Sequence, residues 1–213
     1  MKKPGIILII LLILTSGLSA LTFDRVEARM GMVYYGYSGE NRETSSPLKE
    51  FLGVGLPMDF GSRFEFRPEL TLFYFDYFYN DLDGRALPSP IEKADRISVF
   101  HFLVNPAFSI VFPYDNGLSW GLSLSPSFLL RLPLIAVDEG DDDRSDITSY
   151  FYSAGRFFYP SAGGFFRWQF AERTALSITA WGHFPLFHLW DGSVEPFYDQ
   201  LLVSVNAGFI FKF

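Results

Sequence analysis

Three histidines, His101, His183 and His188, are the side chains of this chain best suited to catalysis. A nucleophilic triad needs a hydroxyl beside the imidazole and a carboxylate to orient it. No histidine stands in a His-x-Ser pattern. His183 and His188 lie in "WGHFPLFHLW", with Asp191 close by, a segment whose aromatic rings suit packing at a rim. A zinc site built on these two lacks a third ligand. No Gly-rich phosphate loop, HExxH pattern or P-loop occurs. With no cysteine, thiolate metal sites, disulfides and a lipid-modified cysteine anchor are excluded. These residues imply no enzyme, no cofactor and no metal. A nucleophile within hydrogen-bond reach of His101 or His183 would reverse that expectation.

Charged residues form the second constellation. Glu65, Arg67 and Glu69 alternate in sign two residues apart, so Arg67 can sit between two carboxylates. Glu27, Arg29, Arg167, Lys49 and Lys212 also fall at alternate places in apolar stretches. Charges so placed need partners wherever the chain buries them. The run "VDEGDDDRSD" differs: Asp138, Glu139, Asp141, Asp142, Asp143 and Asp146 offer hard oxygen ligands that suit calcium. Their order is not that of an EF-hand loop, and like charges at this density repel and stay hydrated. Beside it, "SYFYSAGRFFYP" brings aromatic rings that suit either a covered mouth or a membrane interface.

The elements that must position these groups have period 2. In "RVEARMGMVYYGY", Val26, Ala28, Met30, Met32 and Tyr34 share one face, opposite Glu27, Arg29, Gly31, Val33 and Tyr35. In "RFEFRPELTLFYF", Phe64, Phe66, Pro68, Leu70, Leu72 and Tyr74 oppose Glu65, Arg67, Glu69, Thr71 and Phe73. In "LSWGLSLSPSFLL", leucine, tryptophan and phenylalanine alternate with serine and glycine. Such alternation marks a strand between two different solvents. These runs are about twice the roughly 5–6 residues of a mean globular strand. They reach the roughly 9–11 residues that a membrane-crossing strand needs. Five more segments follow, near 48–58, 97–112, 157–169, 174–184 and 200–213. In 97–112, Phe100, Phe102, Val104 and Phe108 are expected outside, with His101, Asn105 and Ser109 inside. A register slip of one would reverse every side chain.

The connectors sort by length. Three are short, at 58–63, 113–117 and 171–174. Four are longer, at about 38–47, 76–96, 131–156 and 185–199. Short and long alternate, as periplasmic turns and external loops do in outer-membrane barrels. The sequence thus predicts an all-β fold, an eight-stranded antiparallel transmembrane β-barrel over residues 21–213. Residues 1–20, "MKKPGIILIILLILTSGLSA", have two lysines, an apolar run from Ile6 to Leu14 and a small, polar stretch. That layout is a secretory signal peptide, and the run is too short to span a bilayer as a helix. An aromatic content of 19% is more ring surface than soluble domains leave exposed. A net charge of −7 without a basic stripe excludes nucleic acid as a partner.

The chain closes on "LLVSVNAGFIFKF", with Phe209, Phe211 and Phe213 on one apolar face. This ending resembles the terminal signature of bacterial outer-membrane β-barrel proteins. The resemblance implies recognition by the outer-membrane insertion machinery, with Phe209, Phe211 and Phe213 as the assembly signal. In size and layout the chain resembles the small eight-stranded barrels of the OmpA, OmpX and OmpW group. An eight-stranded barrel is just wide enough for side chains to fill. The inward residues Glu27, Arg29, Glu65, Arg67, Glu69, His101 and Arg167 are therefore expected to form a lumen charge network that plugs rather than conducts. The expected partners are outer-membrane lipids, the insertion machinery and an extracellular ligand at the loops. Three functions stay open: a structural or narrow-channel barrel that passes small or hydrophobic solutes, a surface-exposed adhesin acting through long loops, and a lipid-modifying enzyme.

Overall fold

The structure is a computed structural model, and it describes residues 24–38, 47–89, 96–136, 143–192 and 195–213. The expected signal peptide, and the acidic run from Asp138 to Asp142, lie outside the described residues. Ten strands form in chain order: β1 (Arg25–Tyr35), β2 (Leu48–Gly55), β3 (Met58–Asp59), β4 (Phe64–Asn80), β5 (Arg85–Pro88), β6 (Ile97–Pro113), β7 (Leu118–Ala136), β8 (Phe158–Ala171), β9 (Thr174–His183) and β10 (Leu202–Lys212). Among the described residues one α-helix, α1, covers Asp143–Tyr152.

Eight strands make the wall, in the cyclic order β1-β2-β4-β6-β7-β8-β9-β10, and every contact is antiparallel. The ring closes where β1 meets β10, from Arg25 opposite Lys212 to Tyr35 opposite Leu202. Closure is obligatory, because an open edge in hydrocarbon leaves backbone groups unpaired at several kcal/mol each. Gly31 sits on this seam. A Cβ there would lie 2.2 Å from the Val205 carbonyl oxygen, so only glycine lets the two strands approach.

The faces fall as the alternation requires. Met30, Leu52, Leu70, Leu124, Ile178 and Val205 are exposed on the outside, while Val33, Phe51, Thr71, Ser125, Thr179 and Asn206 are buried inside. The expected register of β6 holds: His101, Asn105 and Ser109 point in, and Phe108 is exposed. Exposed rings cluster towards the short-turn end, among them Phe64, Trp120, Trp168, Phe209, Phe211 and Phe213. Tyr34, Tyr74 and Trp190 are exposed towards the long-loop end. An apolar band between two aromatic girdles is the surface of a barrel in a bilayer.

Three features depart from the sequence reading. Strand β4 runs to Asn80 and pairs with β5, so the second long connector is largely a hairpin extension. Strand β7 runs to Ala136, well beyond Phe128. The aromatic stretch after the acidic run is partly helical, and α1 buries Ile147 and Phe151 over the mouth of the barrel. In β7 the alternation in fact continues, with Leu130, Leu132 and Leu134 exposed and Leu129 and Arg131 buried. Strand β5 is buried at all four residues, and α1 buries Ile147 and Phe151 at helical spacing, so period 2 marks neither.

Candidate functional site: a lumen in two layers and an external mouth

The first layer lies towards the short turns. Arg67 is wholly buried; its Nε is 2.8 Å from Glu69 and its Nη1 is 3.7 Å from Glu27. Its guanidinium lies 4.7 Å from the Phe165 ring centre. Glu69 also meets Arg29 at 2.8 Å and Asn105 at 3.3 Å. Glu27 accepts a short hydrogen bond from Ser177. Arg67 does sit between two carboxylates, but they are Glu69 and Glu27. Glu65 turns instead to Arg167, which donates to both its oxygens at 3.0 Å, and it lies 3.7 Å from Arg25. The closed ring brings Glu27 of β1 within 3.7 Å of Arg67, while Glu65, two residues away on β4, is engaged by Arg167. Six of the seven residues expected in the lumen charge network converge here. Lys212 stays at the rim, 3.4 Å from Asp24, and Lys49 lies over the rings of Tyr74 and Phe75.

His101 is the exception. It is buried in the lumen but has no carboxylate partner among the described residues. Its Nε2 is 3.0 Å from the Tyr77 hydroxyl, its Nδ1 is 3.1 Å from the Val99 carbonyl, and it stacks on Phe73 at 4.8 Å. It stands four residues above Asn105 on β6, one level nearer the outside. Alternation set its face, whereas its height follows from strand register.

The second layer lies towards the long loops. Phe75, Tyr77, Tyr159, Leu202 and Arg131 are all buried, and α1 inserts Phe151 among them, edge-on to Tyr77 at 5.0 Å. Arg131 donates to Tyr159 Oη at 2.7 Å and lies 4.7 Å from the Phe151 ring centre. Sequence reasoning missed Arg131. It follows a serine-rich stretch, at a place taken for a loop, and the residues that surround it come from five different elements.

Above this layer is a mouth held by ion pairs. Arg85 of β5 donates to both oxygens of Asp199 at 3.0 Å and also pairs with Glu195. Ser38 donates through its backbone N–H to Asp199 at 2.8 Å and through its hydroxyl to Glu195. Arg156 meets Asp191 at 3.0 Å. Burial alone would raise the Glu195 carboxyl, but the Ser38 hydrogen bond and Arg85 outweigh it and hold it below its ordinary value. Burial pushes the Tyr37 phenol up against the opposing pull of Arg85. A cavity of about 350 Å³ opens here, lined by Arg85, Tyr150, Arg156, His188 and Asp191 among others. The contacts of Arg85 and Ser38 join residues more than a hundred places apart, which no local motif reveals.

The histidines separate. His188 lies in the mouth, with Nε2 2.9 Å from the Asp199 carbonyl oxygen. His183 is not at an aromatic rim but inside the lumen, because it continues the inward phase of Ser177, Thr179 and Trp181 on β9. Its Nδ1 is 2.6 Å from Ser161 Oγ, which in turn is 2.7 Å from Ser127 Oγ. The distance meets the condition set for a nucleophile beside His183. The rest of the site does not follow. No carboxylate is within hydrogen-bond reach of His183 Nε2 among the described residues, and both side chains are buried in the lumen, away from lipid. Nor does any group of three or more His, Asp or Glu side chains converge as a metal site would require, among the described residues.

No family model matches the chain, and no curated protein does. Among solved structures it is similar to the Neisserial surface protein A (NspA), at 10% identity and a TM-score of 0.51, over 91% of this chain and 99% of that one. It is similar to the outer membrane protein OprG from Pseudomonas aeruginosa at 10% identity and a TM-score of 0.48, over 89% of this chain and 97% of that one. It is similar to the outer membrane protein Ail of Yersinia pestis at 8% identity and a TM-score of 0.42, over 89% and 99%. At such identity the likeness to NspA speaks for fold alone, and it agrees with the closed eight-stranded ring. The chain is a small eight-stranded β-barrel of the outer-membrane kind.

Proposed function

We propose that this protein is an integral outer-membrane barrel with a closed lumen, acting through its ordered external head rather than as a conduit. The observation that carries this reading is two sealed layers in series. Arg67 in the lower layer and Phe75, Tyr77 and Tyr159 in the upper one have no water-accessible surface. A water-filled path past them needs space that the side chains already fill. Above them, Arg85 ties the β4–β5 hairpin to Asp199, Ser38 donates to the same carboxylate, and α1 joins this segment through Tyr150, which accepts from Gln200 at 2.8 Å. An ordered head of this kind suits recognition of an extracellular ligand. Among the described residues the buried Ser161–His183 pair has no carboxylate partner, and on this reading it is part of the lumen's hydrogen-bonded packing.

Planar-bilayer conductance of the refolded protein tests this. The wild type is expected to be silent. Arg67→Ala alone is expected to stay silent too, because the upper layer remains. Arg67→Ala combined with Phe151→Ala, which breaches both layers, is expected to give discrete steps. Steps from the wild type would overturn the closed-lumen reading.

A further inference from the structure

The barrel buries four arginines, Arg29, Arg67, Arg85 and Arg131. The first three have a carboxylate oxygen at 2.8, 2.8 and 3.0 Å. Arg131 has none among the described residues. Its Nη1 donates to the Arg156 carbonyl at 3.2 Å and its Nη2 to Tyr159 Oη at 2.7 Å. Tyr35 Oη and Gln200 Oε1 stand 3.5 Å from the same nitrogen. Its Nε has no hydrogen-bond partner among the described residues. These are neutral partners, which solvate a cation without neutralising it. A buried, uncompensated charge is costly, and a guanidinium left in that state is matched to the planar fork of an oxyanion.

We propose that Arg131, with Tyr35, Tyr159 and Gln200, forms an occluded oxyanion-binding site at the outer end of the lumen, closed by Phe151. The ligand is the phosphate, sulfate or carboxylate group of a water-soluble solute. Phe151 covers the guanidinium at 4.7 Å, where the anion would otherwise approach. Tyr152 latches α1 to β7: its hydroxyl donates to the Arg131 carbonyl at 2.9 Å and accepts from the Arg131 backbone N–H at 3.1 Å. The phenol hydroxyls that now face the guanidinium can donate to an anion instead. The mouth cavity lies beside the site but Arg131 is not in its wall, so α1 or Gln200 must move for an anion to pass from one to the other. Gln200 lies between them, donating to Tyr150 at 2.8 Å on the cavity side and turning its oxygen towards Arg131. Asp191, Glu195 and Asp199 in the cavity wall are each paired with Arg156 or Arg85, so their charge is largely offset. The site opens on water and not on the lipid face, which is why the solute is a soluble one.

Thermal unfolding of the refolded full barrel in maltoside micelles tests the assignment. Sodium phosphate is titrated against sodium chloride at equal ionic strength. The variants are Tyr152→Phe, which unlatches α1, and Phe151→Ala, which removes the cover, each with and without Arg131→Gln. Loss of both latching hydrogen bonds should tighten the phosphate midpoint about thirtyfold in Tyr152→Phe relative to wild type. Adding Arg131→Gln should abolish the response. The same response with Gln at position 131 would overturn the proposal, as would no response in Tyr152→Phe. If Phe151→Ala does not refold, as judged by heat-dependent electrophoretic mobility, Tyr152→Phe decides alone. Stabilisation by phosphatidylglycerol but not by inorganic phosphate would overturn the choice of a soluble ligand. The measurement is independent of conductance, so its failure is distinct from failure of the closed-lumen reading.

Discussion

Arg67→Ala should destabilise the barrel by about 3 kcal/mol, near the low end of the roughly 3–5 kcal/mol for breaking a buried ion pair from one side. The two contacts at 2.8 and 3.7 Å are each worth about 4–6 kcal/mol of direct attraction at an effective dielectric near 20. Dehydrating the guanidinium costs several kcal/mol and offsets much of that gain. The carboxylates left behind are not wholly abandoned. Glu69 keeps Arg29 and Asn105, and Glu27 keeps Ser177, which places the loss near the lower bound. The assay is urea unfolding of the protein refolded into lipid vesicles, followed by tryptophan fluorescence. A loss of this size lowers the folding constant by roughly a hundredfold. Arg63→Ala, at an exposed turn position, is the control and should shift stability by less than about 0.5 kcal/mol. A loss below about 1 kcal/mol for Arg67→Ala would refute the reasoning, since the layer would then be solvated rather than sealed.

Other outcomes follow from separate parts of the molecule. Gly31→Val should prevent closure of the β1–β10 seam, seen as loss of the heat-modifiable folded band on a gel. Gly61→Ala, with open space around it but φ at +79°, should cost only about 1 kcal/mol in the same unfolding assay. The Glu195 carboxyl is held below its ordinary value of 4.5, so its contribution is present above that value and lost as pH falls through the lowered one. Hydrogen exchange in residues 195–199 should therefore rise at acid pH, and Glu195→Gln should remove that dependence; an unchanged pH profile in the variant would sink the assignment. If Phe213 acts as an assembly signal, its deletion should slow insertion in cells yet leave spontaneous refolding in detergent near the wild-type rate. Equal slowing of both would make its role purely structural.

Much of the fold was legible before any coordinates, and for a definite reason. A strand between lipid and a filled lumen must alternate, so the faces of Glu27, Arg29, Glu65, Arg67 and Glu69 could be read from residue type alone. The eight periodic segments and the alternation of short and long connectors carried the strand number. Chain chemistry along one strand, however, carries no information about height relative to a distant strand. Hence alternation puts His101 inside but not beside the charges, and Arg67 takes Glu27 from β1 where spacing along β4 alone points to Glu65. The external head was hidden more completely. Arg85 reaches Asp199 across 114 positions, and Phe151 covers Arg131 only because α1 folds back over β7. The periodic sequence determined which way each side chain faces. Only the closed barrel, by bringing eight strands into register and laying its loops across one end, decided which side chains meet.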